Sequence, residues 1–240
     1  MARIALVTGG TRGIGAAISV ALQQAGRHVI ATYAGNTAAA EAFTTETGIE
    51  TVRFDAGDFN QCATAVSAIA AKHGTIDILV NNAGITRDTT IAKMTREMWD
   101  EVIDTNLGSC FNLAKVCFEG MKAKKFGRIV NIGSINGQAG QYGQVNYAAA
   151  KAGIHGFTKA LAMEGARYAI TANTLAPGYV DTEMVRAVPP EVLEKIVAKI
   201  PRGRLGTAQD IARGVVFLTA DEADFITGST LSINGGQHMY

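Results

Sequence analysis

A doubly wound α/β fold is what the sequence predicts: one parallel sheet of about seven strands, helices on both faces, in a single domain spanning residues 1–240. Three observations carry that expectation. Strand-like apolar runs alternate with helix-period stretches, and such βα alternation implies right-handed crossovers onto a parallel sheet. The first of those runs ends in a glycine turn that opens directly into a helix. At 240 residues, with 48% hydrophobic and 18% charged residues, the chain can bury one full core and needs no second domain.

The first strand, residues 3–8, runs into Gly9-Gly10-Thr11-Arg12-Gly13-Ile14-Gly15 and then the apolar-periodic segment 16–25. Glycines let a backbone approach a pyrophosphate, and the free N–H groups and dipole of a helix start favour the anion. The spacing of Gly9, Gly13 and Gly15 is G-x-x-x-G-x-G rather than the usual G-x-G-x-x-G, and a plain tight βα turn would read the same way. The second strand, 28–33, ends at Tyr33 and leads into Ala34-Gly35-Asn36, with no Asp or Glu to hold an adenosine ribose 2′-hydroxyl. Arg12 in the glycine turn offers a guanidinium that pairs bidentately with a 2′-phosphate, so NADPH is the cofactor expected. Strands at 50–55 and 76–81 follow, then one at 127–133 that delivers Ser134 at its end.

Thirteen residues beyond Ser134 comes Tyr147, with Lys151 four residues later in an alanine-rich, helical stretch. The i, i+4 spacing sets phenol and ammonium on one helix face, where the cation favours the phenolate and the tyrosine can exchange a proton. The pair alone is also compatible with an ordinary helix. A sixth strand, 170–176, precedes a long irregular segment at 177–206, which carries Pro189, Pro190, Pro201 and a short helix at about 191–199. Such a segment between sheet elements is usually a lid or binding loop. The last strand is 230–234.

Composition narrows the function classes. A net charge of +1 argues against a nucleic-acid footprint, and the cluster Lys122, Lys124, Lys125 and Arg128 reads as a solvated helix end. Cys62, Cys110 and Cys117 form no C-x-x-C, and with four histidines no metal-ligand spacing is visible, so buried reduced thiols and no metal are expected. The first strand starts after two residues and no apolar run reaches ~18 residues, which predicts a cytoplasmic protein with no membrane partner.

Five motifs stand in order: Thr8-Gly9-x-x-x-Gly13-x-Gly15, Asn81-Asn82-Ala83-Gly84, Asn106, the set Ser134 with Tyr147-x-x-x-Lys151, and Pro177-Gly178. In this the chain resembles the short-chain dehydrogenase/reductase family over residues 3–236. Within that family, 81–88 (NNAGITRD), 136–147 (NGQAGQYGQVNY) and 234–239 are most similar to the NADPH-dependent acetoacetyl-CoA reductases of polyhydroxyalkanoate (polyhydroxybutyrate) synthesis. The neighbouring group is the 3-oxoacyl-carrier-protein reductases.

The resemblance implies a Rossmann-type fold, a homotetramer, and reduction of acetoacetyl-CoA to (R)-3-hydroxybutyryl-CoA with Tyr147 as proton donor. It makes Ser134 the partner of Tyr147 on the substrate carbonyl, gives Lys151 a hold on the nicotinamide ribose, and has Asn106 hold a water that relays protons. Cofactor contacts are implied at Gly9, Thr11, Arg12, Gly13, Ile14, Gly15 and Tyr33, at Asp55 and Ala56 beside the adenine, and at Asn82, Ala83 and Gly84 along the adenosine ribose. Pro177, Gly178, Val180 and Thr182 would cover the nicotinamide.

Gln141, Tyr142 and Gln144 lie between two catalytic groups and, with Tyr179, are expected at the substrate end. There they suit a short β-keto thioester better than a long acyl chain. Arg186, Lys195, Lys199, Arg202 and Arg204 are candidates for the CoA phosphates, and Lys125 and Arg167 for docking an acidic carrier protein. A catalytically idle nucleotide-binding module on the same fold is the reading from another class, opposed by the intact set Asn106, Ser134, Tyr147 and Lys151.

Overall fold

The computed structural model describes residues 2–182, 185 and 189–239. Seven parallel strands form one sheet: β1 (Ile4–Val7), β2 (His28–Tyr33), β3 (Glu50–Arg53), β4 (Ile78–Asn81), β5 (Gly127–Ile132), β6 (Ile170–Pro177) and β7 (Thr230–Ile233). Their order is β3-β2-β1-β4-β5-β6-β7. The order reverses between β1 and β4, and a doubly wound sheet opens its ligand crevice at that switch point, beyond the carboxyl ends of the strands.

Both faces of the strands are covered because each is apolar on both sides. In β1, Leu6 enters one core with Ile30, Leu79 and Ile129, while Ala5 and Val7 enter the other with Val29, Val80 and Val130. The first core is closed by α3 (Phe59–His73), α5 (Ser109–Lys124) and α7 (Val145–Gly165), the second by α1 (Gly13–Gln24), α2 (Thr37–Thr47) and a helix at Ala208–Leu218. Period-2 alternation thus divides every central strand between two cores. Each fully buried Leu or Ile contributes roughly 1.5–3 kcal/mol, so these cores carry most of the driving force.

Strand ends differ from the sequence expectation by at most two residues, for local reasons. β3 stops at Arg53 because the Asp55 carboxylate turns back to accept from Gly57 N at 2.8 Å. β4 starts at Ile78 because the buried Asp77 spends its carboxylate on Ile4 N (2.9 Å) and Lys124 Nζ (2.8 Å). Three short helices complete the chain: α4 (Arg96–Ile103), which widens into one π turn at Asp104–Gly108, α6 (Ile135–Ala139) and α8 (Pro190–Val197), with Ala208–Leu218 as α9. The neck of the 177–206 excursion is pinned by Gly206 N to Tyr179 O and Asp181 N to Gly206 O, both 2.9 Å.

Candidate active site

The glycine turn at the switch point packs backbone closely on backbone. Gly9 and Gly13 sit at φ +59° and +54°, where L side chains are strained, and a Cβ on Gly15 would lie 2.0 Å from Gly9 O. The turn is braced from β4. Asn82 Nδ2 donates to Thr8 O (2.9 Å) and Gly9 O (3.2 Å), and Thr8 Oγ1 accepts from Asn82 N and Ala83 N, each at 2.9 Å. Arg12 is the exposed N-cap residue of α1, and no protein group among the described residues pairs its guanidinium.

Beside this turn, beyond the ends of β2 and β3, lies a cavity of about 490 Å³ lined by Ala34, Gly35, Arg53, Phe54, Asp55 and Gln61. Parallel register sets Tyr33 opposite Arg53, and Arg53 Nε donates to Ala34 O at 3.0 Å. Arg53 escaped the sequence reading; the strand register, two residues before Asp55, is the signal that points to it.

Tyr147 and Lys151 occupy the first turns of α7, as the spacing predicts. Lys151 is 4% exposed; its Nζ lies 5.6 Å from the centre of the Tyr147 ring and donates to Ile132 O at 2.7 Å. The ammonium is therefore anchored at the end of β5, next to the strand residue that leads to Ser134. Ser134 caps α6, its Oγ accepting from Asn136 N at 3.1 Å. A Cβ on Gly137 would meet the Lys151 backbone at 2.7 Å, so this glycine lets α6 lie directly on α7.

Asn106 sits in the π turn, fully buried, and clasps Ile85 by accepting from its N–H (2.7 Å) and donating to its carbonyl (2.9 Å). A Cβ on Gly84 would lie 2.8 Å from Asn106 Oδ1 and 3.7 Å from Lys151 Nζ, which puts Asn106 and Lys151 on either side of one backbone position. Beneath them, Asn81 donates to Asn131 (2.8 Å), and Asn131 and Thr174 donate to Thr158 (2.9 Å each). This buried polar chain ties α7 to three adjacent strands and fixes where Tyr147 and Lys151 stand.

The expected substrate-side residues divide. Gln141 and Tyr142 are exposed. Gln144 accepts from Asn136 Nδ2 (2.8 Å) and donates to Asp88 Oδ2 (2.7 Å), so its amide is already engaged within the protein. Half-buried Tyr179 hydrogen-bonds the Asn136 side chain, and burial pushes its phenol above the usual range. Asn136 and Asp88, unnoticed as side chains in the sequence, are thus the hub between α6, the α7 start and the 177–206 segment. Pro177 ends β6, followed by Gly178, Val180 and Thr182 at the same sheet edge.

Of the basic candidates for the CoA phosphates, Arg202 and Arg204 line a cavity of about 210 Å³ with Tyr179 and Asn234, and Arg204 already pairs with Asp210 at 3.0 Å. Lys195 and Lys199 are exposed; Arg186 lies outside the described residues. Lys125 and Arg167 are exposed, with Arg167 stacked on Tyr168 at 4.7 Å. No helix among the described residues is long and apolar enough to cross a membrane.

The chain is similar to known proteins along nearly its whole length. A family model described as Enoyl-(Acyl carrier protein) reductase matches residues 9–238. The chain is 58% identical to an acetoacetyl-CoA reductase of Shinella zoogloeoides over 238 residues, 99% of each chain. It is also 58% identical to an acetoacetyl-CoA reductase of Rhizobium meliloti over 240 residues, all of both chains. A 3-oxoacyl-acyl-carrier-protein reductase of Escherichia coli is 46% identical over 239 residues, 99% of this chain and 98% of that one.

Proposed function

The chain belongs to the short-chain dehydrogenase/reductase family, and from that premise we propose that it reduces acetoacetyl-CoA to (R)-3-hydroxybutyryl-CoA at the expense of NADPH. The observation that carries this reading is the 58% identity, over nearly the whole of both chains, to acetoacetyl-CoA reductases, in a chain whose Lys151 Nζ stands 5.6 Å from the Tyr147 ring and is held at the end of the strand that leads to Ser134.

The residues present fit a dinucleotide. A glycine turn with open space beside Gly13 at the start of α1 suits a pyrophosphate, and Arg12, without a partner among the described residues, with Arg53 at the neighbouring cavity, suits a 2′-phosphate. Asp55 and Ala56 would flank the adenine and Asn82 to Gly84 the ribose, with Pro177, Gly178, Val180 and Thr182 over the nicotinamide. Bound there, NADPH supplies the hydride for the 3-oxo carbon.

The chain's own groups do the rest. Ser134 Oγ–H and the Tyr147 hydroxyl donate hydrogen bonds to the carbonyl oxygen, on which negative charge develops. Tyr147 then gives up its proton to that oxygen. Lys151, held by the Ile132 carbonyl with its Nζ 5.6 Å from the centre of the Tyr147 ring, is placed to offset the negative charge left on the phenol oxygen once that proton has been transferred. Asn106 holds the Ile85 backbone against Gly84 and, in this reading, the water through which Lys151 is reprotonated. A homotetramer fits the apolar side chains left exposed on α5 and α7, Phe111 (54%) and Met163 (83%).

A carrier-protein thioester is the second reading, favoured by the E. coli relative. NADPH oxidation followed with acetoacetyl-CoA, acetoacetyl-carrier protein and a 3-oxo-octanoyl thioester at one salt concentration decides between them. The expected kcat/KM order puts acetoacetyl-CoA first; a clear preference for either of the others overturns the assignment.

A further inference from the structure

At the amino ends of the strands, on the opposite sheet edge from Tyr147, the first residues of β2 and β3 and the last residue of α3 bring three ligand-type side chains together: His28, Glu50 and His73. His28 Nε2 lies 3.1 Å from His73 Nδ1, and His73 Nε2 lies 3.0 Å from Glu50 Oε2. One ligand atom from each residue falls within 4.8 Å of the others. We propose that this cluster binds a borderline divalent transition-metal ion of the zinc class, chelated by His28 Nε2 and His73 Nδ1, with Glu50 holding the far nitrogen of His73.

The distance between the two imidazoles is the first support. Two nitrogens bonded to one zinc at ~2.0–2.1 Å, with an angle between square and tetrahedral, are separated by ~2.9–3.4 Å, and the observed 3.1 Å lies inside that window. The second is the carboxylate. A ligating histidine nearly always directs its other ring nitrogen at a carboxylate or carbonyl, which fixes the tautomer and raises ligand basicity. Here His73 Nε2 is buried and has no aligned hydrogen bond, yet faces Glu50 at ion-pair distance, an arrangement that a small rotation of the ring toward a bound ion would complete.

Lys72 grips both Glu50 oxygens, at 2.8 and 2.9 Å, and with His73 holds that carboxyl below its usual range. The lysine keeps the carboxylate in place, but it also leaves two imidazoles as the direct protein ligands among the described residues. The site is therefore an exchangeable one, completed by water on the exposed His28 side, rather than a closed structural centre.

Imidazole ligands select zinc, nickel or copper over magnesium and calcium. Starting from two neutral rings, binding needs no net proton release. The proton shared between the two rings moves to His28 Nδ1, and His73 keeps its Nε2–H toward Glu50. Because the ligands come from β2 and α3, with Glu50 on β3, the ion would clip together the outer elements of the first half of the sheet. The proposal is independent of the reductase reading.

Zinc chloride titrated into the full, chelator-stripped chain by calorimetry, with thermal melts in parallel, tests it. One equivalent is expected to bind saturably, and at zinc 100-fold above its Kd the folding equilibrium shifts about 100-fold toward the native state. His28→Gln and His73→Gln should each weaken binding tenfold or more. His28 is exposed, so its variant folds whether or not the His73 variant does. His155→Gln should bind as wild type, and excess magnesium should not compete. Absence of saturable zinc uptake, or uptake unchanged in both the His28 and His73 variants, overturns the site.

Discussion

Tyr147 is the residue on which the proposed chemistry turns. Tyr147→Phe removes the proton donor and leaves the glycine turn untouched, so kcat should fall by ~10²–10⁴ with NADPH affinity nearly unchanged. Retention of more than a tenth of wild-type kcat would mean another group supplies the proton. Lys151→Ala should lose activity and also bind NADPH more weakly, which fluorescence titration of the cofactor measures. Arg12 stands in the glycine turn as the N-cap residue of α1, and Arg53 lines the neighbouring cavity beyond the ends of β2 and β3. A charge-assisted hydrogen bond is worth ~1.5–3 kcal/mol, so each alanine variant should raise KM for NADPH by roughly 10- to 150-fold while leaving that for NADH little changed. If the wild type used NADH as readily as NADPH, neither arginine would be reading a 2′-phosphate. Arg12 was legible in the sequence because it lies inside a motif. Arg53 was not, because only the pairing of β2 with β3 sets it opposite Tyr33.

Among the elements, α9 shows how local sequence positions a functional segment. Thr207 and Asp210 form a capping box, Thr207 Oγ1 accepting from Asp210 N at 3.1 Å and Asp210 Oδ2 from Thr207 N at 2.9 Å. The backbone hydrogen bond from Thr207, together with Arg204, holds the Asp210 carboxyl down at about 2. Its folded value is below its unfolded one, so the stabilisation is present above the ordinary carboxylate range of ~3.9 and is lost as pH falls from there toward about 2. Thr207→Ala should cost ~0.5–2 kcal/mol in chemical denaturation at neutral pH. Asp210→Asn should flatten the acid limb of stability between pH 4 and 2, and an unchanged limb would show that Asp210 is not what titrates there. The cap also sits at the neck of the 177–206 excursion, through Arg204 and Gly206. The sequence located that excursion and its short helix by the prolines. It did not show that the excursion closes on itself, since the Val180 to Gly206 bridge is a pairing of distant residues.

Over the whole molecule, burial puts all three cysteines out of reach, Cys62 and Cys117 within the first core and Cys110 on α5. Burial pushes the thiols up to about 12 at Cys62, about 11 at Cys110 and about 12 at Cys117. Since the thiolate is the reactive form, a disulfide reagent at pH 8 should label none of them in the native protein and all three after unfolding. Rapid labelling of the folded chain would reveal an opening of the α3 to α5 layer that the packing does not predict. The zinc-class cluster at the amino edge and the reductase groups at the carboxyl edge lie at opposite ends of one parallel sheet, so one should be disabled without affecting the other.

Periodicity and punctuation were enough to determine the class of fold and the strand positions to within two residues, because each is a property of neighbours along the chain, while the candidate site groups were named by motifs shared with a family. The glycine turn, the Tyr147 and Lys151 spacing and the missing acid after β2 are all short-range patterns. The tertiary structure decided what those groups touch: Lys151 on the Ile132 carbonyl, Asn106 on Ile85, Gln144 shared between Asn136 and Asp88, and His28 against His73. Those contacts join residues that lie up to 56 positions apart. They form because strand order and parallel register bring distant chain segments together at the two sheet edges, where leaving a buried polar group unpaired costs free energy.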